Sequence, residues 1–160
     1  MNENQFYVYV LLDPRKPGEY KYGEYEFDHE PFYVGKGKGN RLNEHVWEAE
    51  KYLHEEKTTI LIECKNPHKV NKIIKIYTST SKWPESVLIV ENMSEEDAFQ
   101  LEINLILEIG RFGLKAGPLT NLTGGGEGTS GYIFTDEEFD KAILYNDFNV
   151  IANIPNLIIH

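Results

Sequence analysis

This sequence of 160 residues lacks the features that mark secreted, membrane and zinc-cysteine proteins. Its single cysteine, Cys64, cannot form an internal disulfide and has no Cys/His partners at zinc-finger spacing. No apolar run approaches the roughly 20 residues that span a bilayer, and the first residues do not read as a secretory signal. We therefore expect a globular protein that acts inside the cell, with Cys64 as a small buried residue and no structural zinc.

Basic residues are also scarce, with 16 lysines and arginines against 26 acidic residues and a net charge of -10. This balance argues against a generally polycationic binder of nucleic acid, since such binding depends on many positive charges. The charge is uneven, however, because residues 31–83 carry ten basic and six acidic groups, while residues 84–160 carry three and thirteen. One basic face could bind nucleic acid within an acidic molecule, with modest and salt-dependent affinity.

What the chain does have is a glycine-rich stretch between a predicted strand, Phe32 to Val34, and a predicted helix that begins near Asn40. Glycine lets a ligand approach the backbone closely, and lysines beside a helix N-terminus favour an anion. The stretch therefore predicts a phosphate ligand, and it contains three glycines and two lysines: Gly35, Lys36, Gly37, Lys38 and Gly39.

Two residues of the following helix, Arg41 and His45, stand four positions apart and should share one face that looks toward this loop. Two other interpretations of the stretch stay open, a nucleotide-binding loop and an ordinary basic turn. The glycine order matches neither Gly-x-x-x-x-Gly-Lys-Ser/Thr nor Gly-x-Gly-x-x-Gly, which counts against the first.

The remaining elements predict an α/β fold, with a small, mainly antiparallel central sheet flanked by helices. The strands lie near Phe6, Phe32 and Val87, and the run from Glu85 to Glu91 is the strongest strand, which we place at the centre. Residues 14–31 read as an inserted loop or hairpin. We assign residues 1–123 to one domain and residues 124–160 to a glycine hinge with a C-terminal helical tail, whose helix begins at Thr135.

Three helical segments complete this prediction. The first runs from Asn40, as its cap, to about His54, and the last runs from the capping residue Ser94 to about Gly110, whereas residues 58–64 are ambiguous between strand and helix. The middle helix begins at Pro67 and presents a basic outer face that is either solvated or a ridge that contacts phosphates. Its apolar face comprises Val70, Ile73, Ile74 and Tyr77, and its outer face comprises Lys69, Lys72 and Lys75.

Two tripeptides on the first two strands, Tyr7-Val8-Tyr9 and Tyr33-Val34-Gly35, stand as the two name-giving motifs do in the GIY-YIG nuclease family, which the chain resembles. The resemblance covers roughly residues 5–122 and is nearest to the branch with LEM-domain, ankyrin-repeat nucleases and small bacterial and phage relatives. Tyr7 replaces the first glycine of the motif, and the segment between the motifs is long. The matching positions are catalytic Tyr9, Tyr33, Lys36, Arg41 and His45, metal-binding Glu102, and supporting Tyr7, Gly35 and Asn121.

The resemblance implies hydrolysis of DNA phosphodiester bonds to 5′-phosphate and 3′-hydroxyl ends, with one Mg²⁺ or Mn²⁺ on Glu102 as Lewis acid. Arg41 would neutralise charge on the scissile phosphate, and Tyr33 or Tyr9 would take the proton from water with a pKa lowered by Lys36 and the metal. His45 would orient that tyrosine or share the base role. Lysines expected to bind the nucleic acid are Lys36, Lys38, Lys69, Lys72 and Lys75. The alternative is a noncatalytic nucleic-acid- or protein-binding module with the same fold.

Overall fold

A computed structural model describes residues 4–125, and within them a three-stranded antiparallel sheet is flanked by four α-helices. This confirms the predicted α/β class and the antiparallel sheet. The elements in chain order are β1 (Phe6–Tyr22), β2 (Tyr25–Gly37), α1 (Arg41–Lys51), α2 (Lys57–Glu63), α3 (Pro67–Thr80), β3 (Glu85–Met93) and α4 (Glu95–Ile109), followed by a short 3-10 turn (Phe112–Leu114).

Strand β1 lies at the centre of the sheet, in the order β2-β1-β3. The prediction that the Glu85 strand is central is therefore wrong, and it forms an edge. Its apolar, β-branched sequence does specify a strand, but Leu88 and Val90 are each 42% exposed. The centre belongs to β1 because its residues 8–12 are buried and pair with a strand on both sides.

The segment between the two tyrosine motifs is a long hairpin, which is one of the two predicted alternatives. Strands β1 and β2 pair as far as Tyr22 and Tyr25, and Gly23 turns the chain with a φ of +61°. The base of the hairpin is fixed by Asp13, whose buried carboxylate accepts hydrogen bonds from Arg15 at 2.9 and 3.0 Å. Lys72 of α3 lies 4.0 Å from the same carboxylate, so the hairpin is linked to that helix.

Helices cover both faces of the sheet, because alternate residues of β1 point to opposite sides. Val8, Val10 and Leu12 pack against α4 in the larger apolar cluster. Tyr9 and Leu11 pack with residues of α1 and α3 in the second cluster. Tyr9 therefore points toward α1, the helix that carries the predicted catalytic arginine and histidine.

Helix α3 corrects the predicted basic ridge. Lys69 is only 7% exposed and shares a buried face with Ile73 and Ile76, at spacings of four and seven residues. Lys72 lies between two acidic side chains, 4.0 Å from Asp13 and 3.9 Å from Glu30. The prediction that all three lysines line a solvent-facing surface is therefore wrong for Lys69 and Lys72. Of the three, only Lys75 is exposed.

Helix α2, Cys64 and the end of the described chain concern three smaller predictions. Residues 57–63 form helix α2, which settles the ambiguous segment, and Cys64 is buried as expected. The helical tail from Thr135 and most of the glycine hinge lie outside the described residues, so these predictions stay predictions. Among residues 4–125 no helix is long and apolar enough to cross a membrane.

Candidate active site

Most of the predicted site residues meet at one cavity of about 370 Å³ between β2, the starts of α1 and α3, the middle of α4 and residues 121–125. The cavity is lined by charged and polar side chains from segments far apart in sequence. The sequence-predicted residues that line it are Tyr33, Lys36, Arg41, His45, Lys69, Glu102 and Asn121. Tyr9 lies behind this wall, fully buried, while Lys72, Lys75 and Lys38 do not line the cavity.

Gly35 and Gly37 belong to β2, pairing with Tyr9 and Tyr7, and are not part of an open loop. A Cβ on Gly35 would lie 2.3 Å from the Tyr9 ring, and one on Gly37 would lie 2.3 Å from Arg41 Cγ. The prediction that all three glycines form an open, phosphate-accepting loop is therefore wrong. Two of them lie in a strand and leave room for side chains of the site. Gly39, with a φ of +59° and open space around it, is the one that turns the chain.

Tyr7 stands where the family motif has its first glycine, and its side chain connects β1 to the start of α1. Its hydroxyl donates to the Gly39 carbonyl oxygen at 2.8 Å and accepts from the Leu42 amide at 2.9 Å. Asn40 is the N-cap residue, as predicted, but its side chain makes no capping hydrogen bond. Tyr7 satisfies an unpaired amide of the first helical turn in its place, which fixes the position of Arg41.

Arg41 is the first residue of α1, and its side chain reaches the cavity next to Gly37. The guanidinium lies 3.2 Å from Glu44, and its charge lowers the pKa of both Tyr9 and Tyr33. A permanently charged, forked donor in this position suits recognition of phosphate oxygens.

His45 is 2% exposed and lies between two side chains of the site. Its Nε2 contacts the Tyr9 hydroxyl, and its Nδ1 lies 2.9 Å from Lys69 Nζ. Burial, with the nearby charges of Lys69 and Arg41, lowers the pKa of His45 to about 2. His45 is therefore neutral across the physiological range.

The two motif tyrosines are held protonated by their surroundings. Burial raises the pKa of Tyr33 to about 12, although the charge and a hydrogen bond of Arg41 oppose it. Burial also raises the pKa of Tyr9 well above its ordinary value. Arg41 is a cation whose charge favours the phenolate of both tyrosines, and the role predicted for Lys36 stays a prediction.

Lys36 lines the cavity but is held by α4. Its ammonium lies 3.2 Å from a Glu95 carboxylate oxygen and 3.5 Å from the centre of the Phe99 ring. Such contacts fix the side chain at the cavity edge, where its charge can attract an anion.

Glu102 is a half-buried residue of α4 whose carboxylate faces the cavity. A Cβ on Gly125 would lie 3.3 Å from its Oε1, so a glycine leaves room beside that oxygen. Oxygen donors of this kind suit Mg²⁺ or Mn²⁺, and the carboxylates of Glu44 and Glu48 also line the cavity. Across residues 4–125 the one group of three His, Cys, Asp or Glu side chains that lies close enough to share an ion is Asp28, His29 and Glu85, and none of its members lines this cavity.

Asn121 ties the end of the described chain to the site, as predicted. Its Oδ1 accepts from the Val34 amide at 3.0 Å, and its Nδ2 donates to the Val34 carbonyl oxygen at 2.8 Å. The side chain therefore pairs with β2 as a further strand residue would, directly beside Tyr33 and Gly35. Asn66 makes a parallel link, because its Nδ2 donates to the Thr120 carbonyl oxygen at 3.0 Å.

Sequence reasoning placed Lys69 on the wrong side of α3 and missed seven residues that line the cavity: Glu44, Glu48, Lys65, Asn66, Leu122, Thr123 and Gly125. The signal for Glu48 was present, since it follows Arg41 and His45 at helical spacing. Lys65 and Asn66 precede a proline-initiated helix, and nothing in their local pattern shows which cavity they reach.

Comparison with known protein families matches residues 6–145 to the family described as the LEM-3-like GIY-YIG domain. Comparison with curated proteins and with solved structures gave no match. The family match covers most of the chain, including both tyrosine motifs, Arg41, Glu102 and Asn121. The chain therefore belongs to the GIY-YIG family, as a LEM-3-like GIY-YIG domain.

Proposed function

We propose that this protein is a metal-dependent DNA endonuclease that acts inside the cell and leaves 5′-phosphate and 3′-hydroxyl ends. One observation carries the proposal: a single polar cavity collects Tyr33, Arg41, His45, Glu102 and Asn121 from four separate parts of the chain. Membership of the GIY-YIG family supports nuclease chemistry at that cavity.

Arg41 binds and neutralises the scissile phosphate. Its guanidinium can offer paired donors to two phosphate oxygens, and a donor held in place before the reaction stabilises the charge that develops there. Gly37 provides the room that its side chain needs, and Tyr7 fixes the helix start from which it projects. Lys36 adds positive charge at the cavity edge.

Glu102 is the residue that would hold the divalent cation. The bound ion would supply Lewis-acid polarisation of the phosphate. The carboxylate comes from the middle of a rigid helix, so its position does not depend on a loop.

The proton of the attacking water goes to a tyrosine in its phenolate form, which the phenol reaches only after giving its own proton to solvent. Tyr33 lines the cavity, and Tyr9 lies behind it in contact with His45. The Arg41 charge opposes the burial that raises the pKa of both hydroxyls. Phenylalanine variants of Tyr33 and Tyr9, compared in single-turnover cleavage, distinguish the two.

The experiment incubates the purified protein and Mg²⁺ with supercoiled, branched and single-stranded DNA, with a matched series in EDTA. The proposal expects metal-dependent nicking or cutting of at least one substrate, with ends that a ligase rejoins directly. DNA binding that metal leaves unchanged, with no cleavage of any substrate, would overturn it in favour of a noncatalytic binding module.

A further inference from the structure

Lys69 is a buried lysine that the proposed chemistry does not use. It is 7% exposed, and its ammonium is surrounded by side chains of the site. Nζ lies 2.9 Å from His45 Nδ1, 3.5 Å from Glu48 Oε1 and 5.0 Å from the centre of the Tyr33 ring. Burying a charge costs free energy unless hydrogen-bond partners or an opposite charge meet it, and His45 and Glu48 are the partners that meet the Lys69 ammonium.

The contact with His45 has a direction. A lysine ammonium has three N–H donors and no acceptor, so the ring nitrogen that it meets must accept. Neutral imidazole carries one proton, which then resides on Nε2, the nitrogen that contacts the Tyr9 hydroxyl. Burial lowers the pKa of Lys69, while the neighbouring Glu48 carboxylate raises it and so favours the ammonium form.

We propose that Lys69 is a positioning residue that holds His45 in the Nε2–H tautomer, so that His45 donates to Tyr9 Oη and cannot serve as the general base. This inference rests on the proposed nuclease function and deepens it. Both ring nitrogens of His45 are then engaged, Nδ1 by Lys69 and Nε2 by Tyr9. The imidazole orients the Tyr9 hydroxyl and supports negative charge on its oxygen, and the base role passes to a tyrosine.

The first test is spectroscopic. Long-range ¹H–¹⁵N spectra of histidine-labelled protein report which ring nitrogen of each of the five histidines carries hydrogen, and His45→Gln identifies the His45 signals. The proposal expects a neutral Nε2–H ring for His45 at neutral pH. An Nδ1–H ring or an imidazolium in the wild-type protein would overturn it, without any variant of Lys69 having to fold.

The second test compares Lys69→Met, which keeps the stem length but removes the donor, with Lys82→Met, an exposed position just after the end of the same helix. Lys69→Met should lose the single tautomer and slow single-turnover cleavage by about 10- to 100-fold, as loss of a partner that orients a histidine does, with DNA affinity nearly unchanged. Lys82→Met should keep both the tautomer and the cleavage step.

The two proposals fail differently. An unchanged His45 tautomer in folded Lys69→Met would refute the role of Lys69 even if the wild-type protein cuts DNA. If the wild-type protein cuts no DNA with Mg²⁺ or Mn²⁺, the nuclease proposal fails, whereas the tautomer still decides whether Lys69 holds His45.

Discussion

At the scale of the residue, the site depends on contacts that single positions permit. Gly35 leaves the space that the Tyr9 ring fills, Gly37 leaves the space for Arg41, and Tyr7 replaces a motif glycine with a hydroxyl that caps α1. Each of these positions acts by placing a second side chain. Few side chains carry out the proposed chemistry. For one of them, Arg41, a lysine variant separates the effect of its paired donors from the effect of its positive charge.

We predict that Arg41→Lys is nearly as damaging as Arg41→Ala. A lysine keeps the charge but cannot present two parallel donors to the phosphate oxygens in the transition state. Loss of one preorganised donor costs on the order of 100- to 1000-fold in rate. Single-turnover cleavage by the wild type and both variants measures this, with DNA binding followed separately. A lysine variant within about threefold of wild type would reduce Arg41 to a general positive charge.

Sequence alone could identify the residues of the motifs but not all of their contacts. Tyr9, Tyr33, Arg41, His45, Glu102 and Asn121 follow from family spacing, and all but Tyr9 line the cavity. The spacing of Lys69 to Ile73 and Ile76 places it on the buried face of α3. A charged lysine is nevertheless expected on the solvated face of a helix. Burial of a charge is decided by tertiary partners, here His45 and Glu48, which local patterns do not reveal.

At the scale of the element, one feature differs from expectation and another was left open by the sequence, because local sequence does not specify which strands pair. The strand from Glu85 has the right composition for a strand, but composition does not specify which strands pair on both sides, and it lies at the edge. The inserted segment could be read as loop or hairpin because its turn residues allow both. Its pairing as far as Tyr22 and Tyr25 is fixed by the register of the whole hairpin.

Asp13, which links this hairpin to α3, predicts how the stability of the fold depends on pH. Burial alone would raise the pKa of Asp13, but hydrogen bonds and charge from Arg15, with the charge of Lys72, lower it below its ordinary 3.8. A carboxyl group with a lowered pKa in the folded state stabilises the fold above its unfolded pKa. That contribution is lost as the pH falls through the folded value.

We therefore expect Asp13→Asn to lower the free energy of unfolding by about 1.5 to 3 kcal/mol at neutral pH, the range for hydrogen bonds to a charged group. The difference from wild type should shrink as the pH falls below 3.8. Urea titrations at several pH values measure it, with the exposed Asp28→Asn as the control. A difference that stays constant down to about pH 2 would show that the Asp13 charge is not its source.

At the scale of the whole molecule, most cations near the cavity already have acidic or aromatic neighbours. Lys36 meets Glu95, Lys69 meets Glu48, and Lys72 meets Asp13 and Glu30. In a chain with a net charge of -10, this leaves few positions for phosphate contacts beyond the cavity. The exposed lysines Lys38 and Lys75 are the candidates from the sequence that remain.

This distribution predicts which lysines affect the salt dependence of DNA binding. The slope of log K against log salt is negative, and each lost phosphate contact should decrease its magnitude by about 0.9. We expect that decrease for Lys38→Ala and for Lys75→Ala, whereas Lys72→Ala should leave the slope unchanged because its ammonium faces Asp13 and Glu30. Fluorescence anisotropy at several salt concentrations measures the slopes. If Lys38→Ala and Lys75→Ala leave them unchanged, those two lysines are only solvated surface.

We propose that the cavity is a metal-dependent nuclease site, and substitution of Glu102 is the sharpest test of this proposal. The measurement is single-turnover DNA cleavage in Mg²⁺ together with calorimetric titration of Mn²⁺, for the wild type, Glu102→Gln and the matched control Glu108→Gln, an exposed position on the same helix. We predict that Glu102→Gln keeps the fold and most of the DNA affinity but loses Mn²⁺ binding and cleavage, while Glu108→Gln cuts as the wild type does. A Glu102→Gln variant that binds Mn²⁺ and cuts DNA at the wild-type rate would contradict the account.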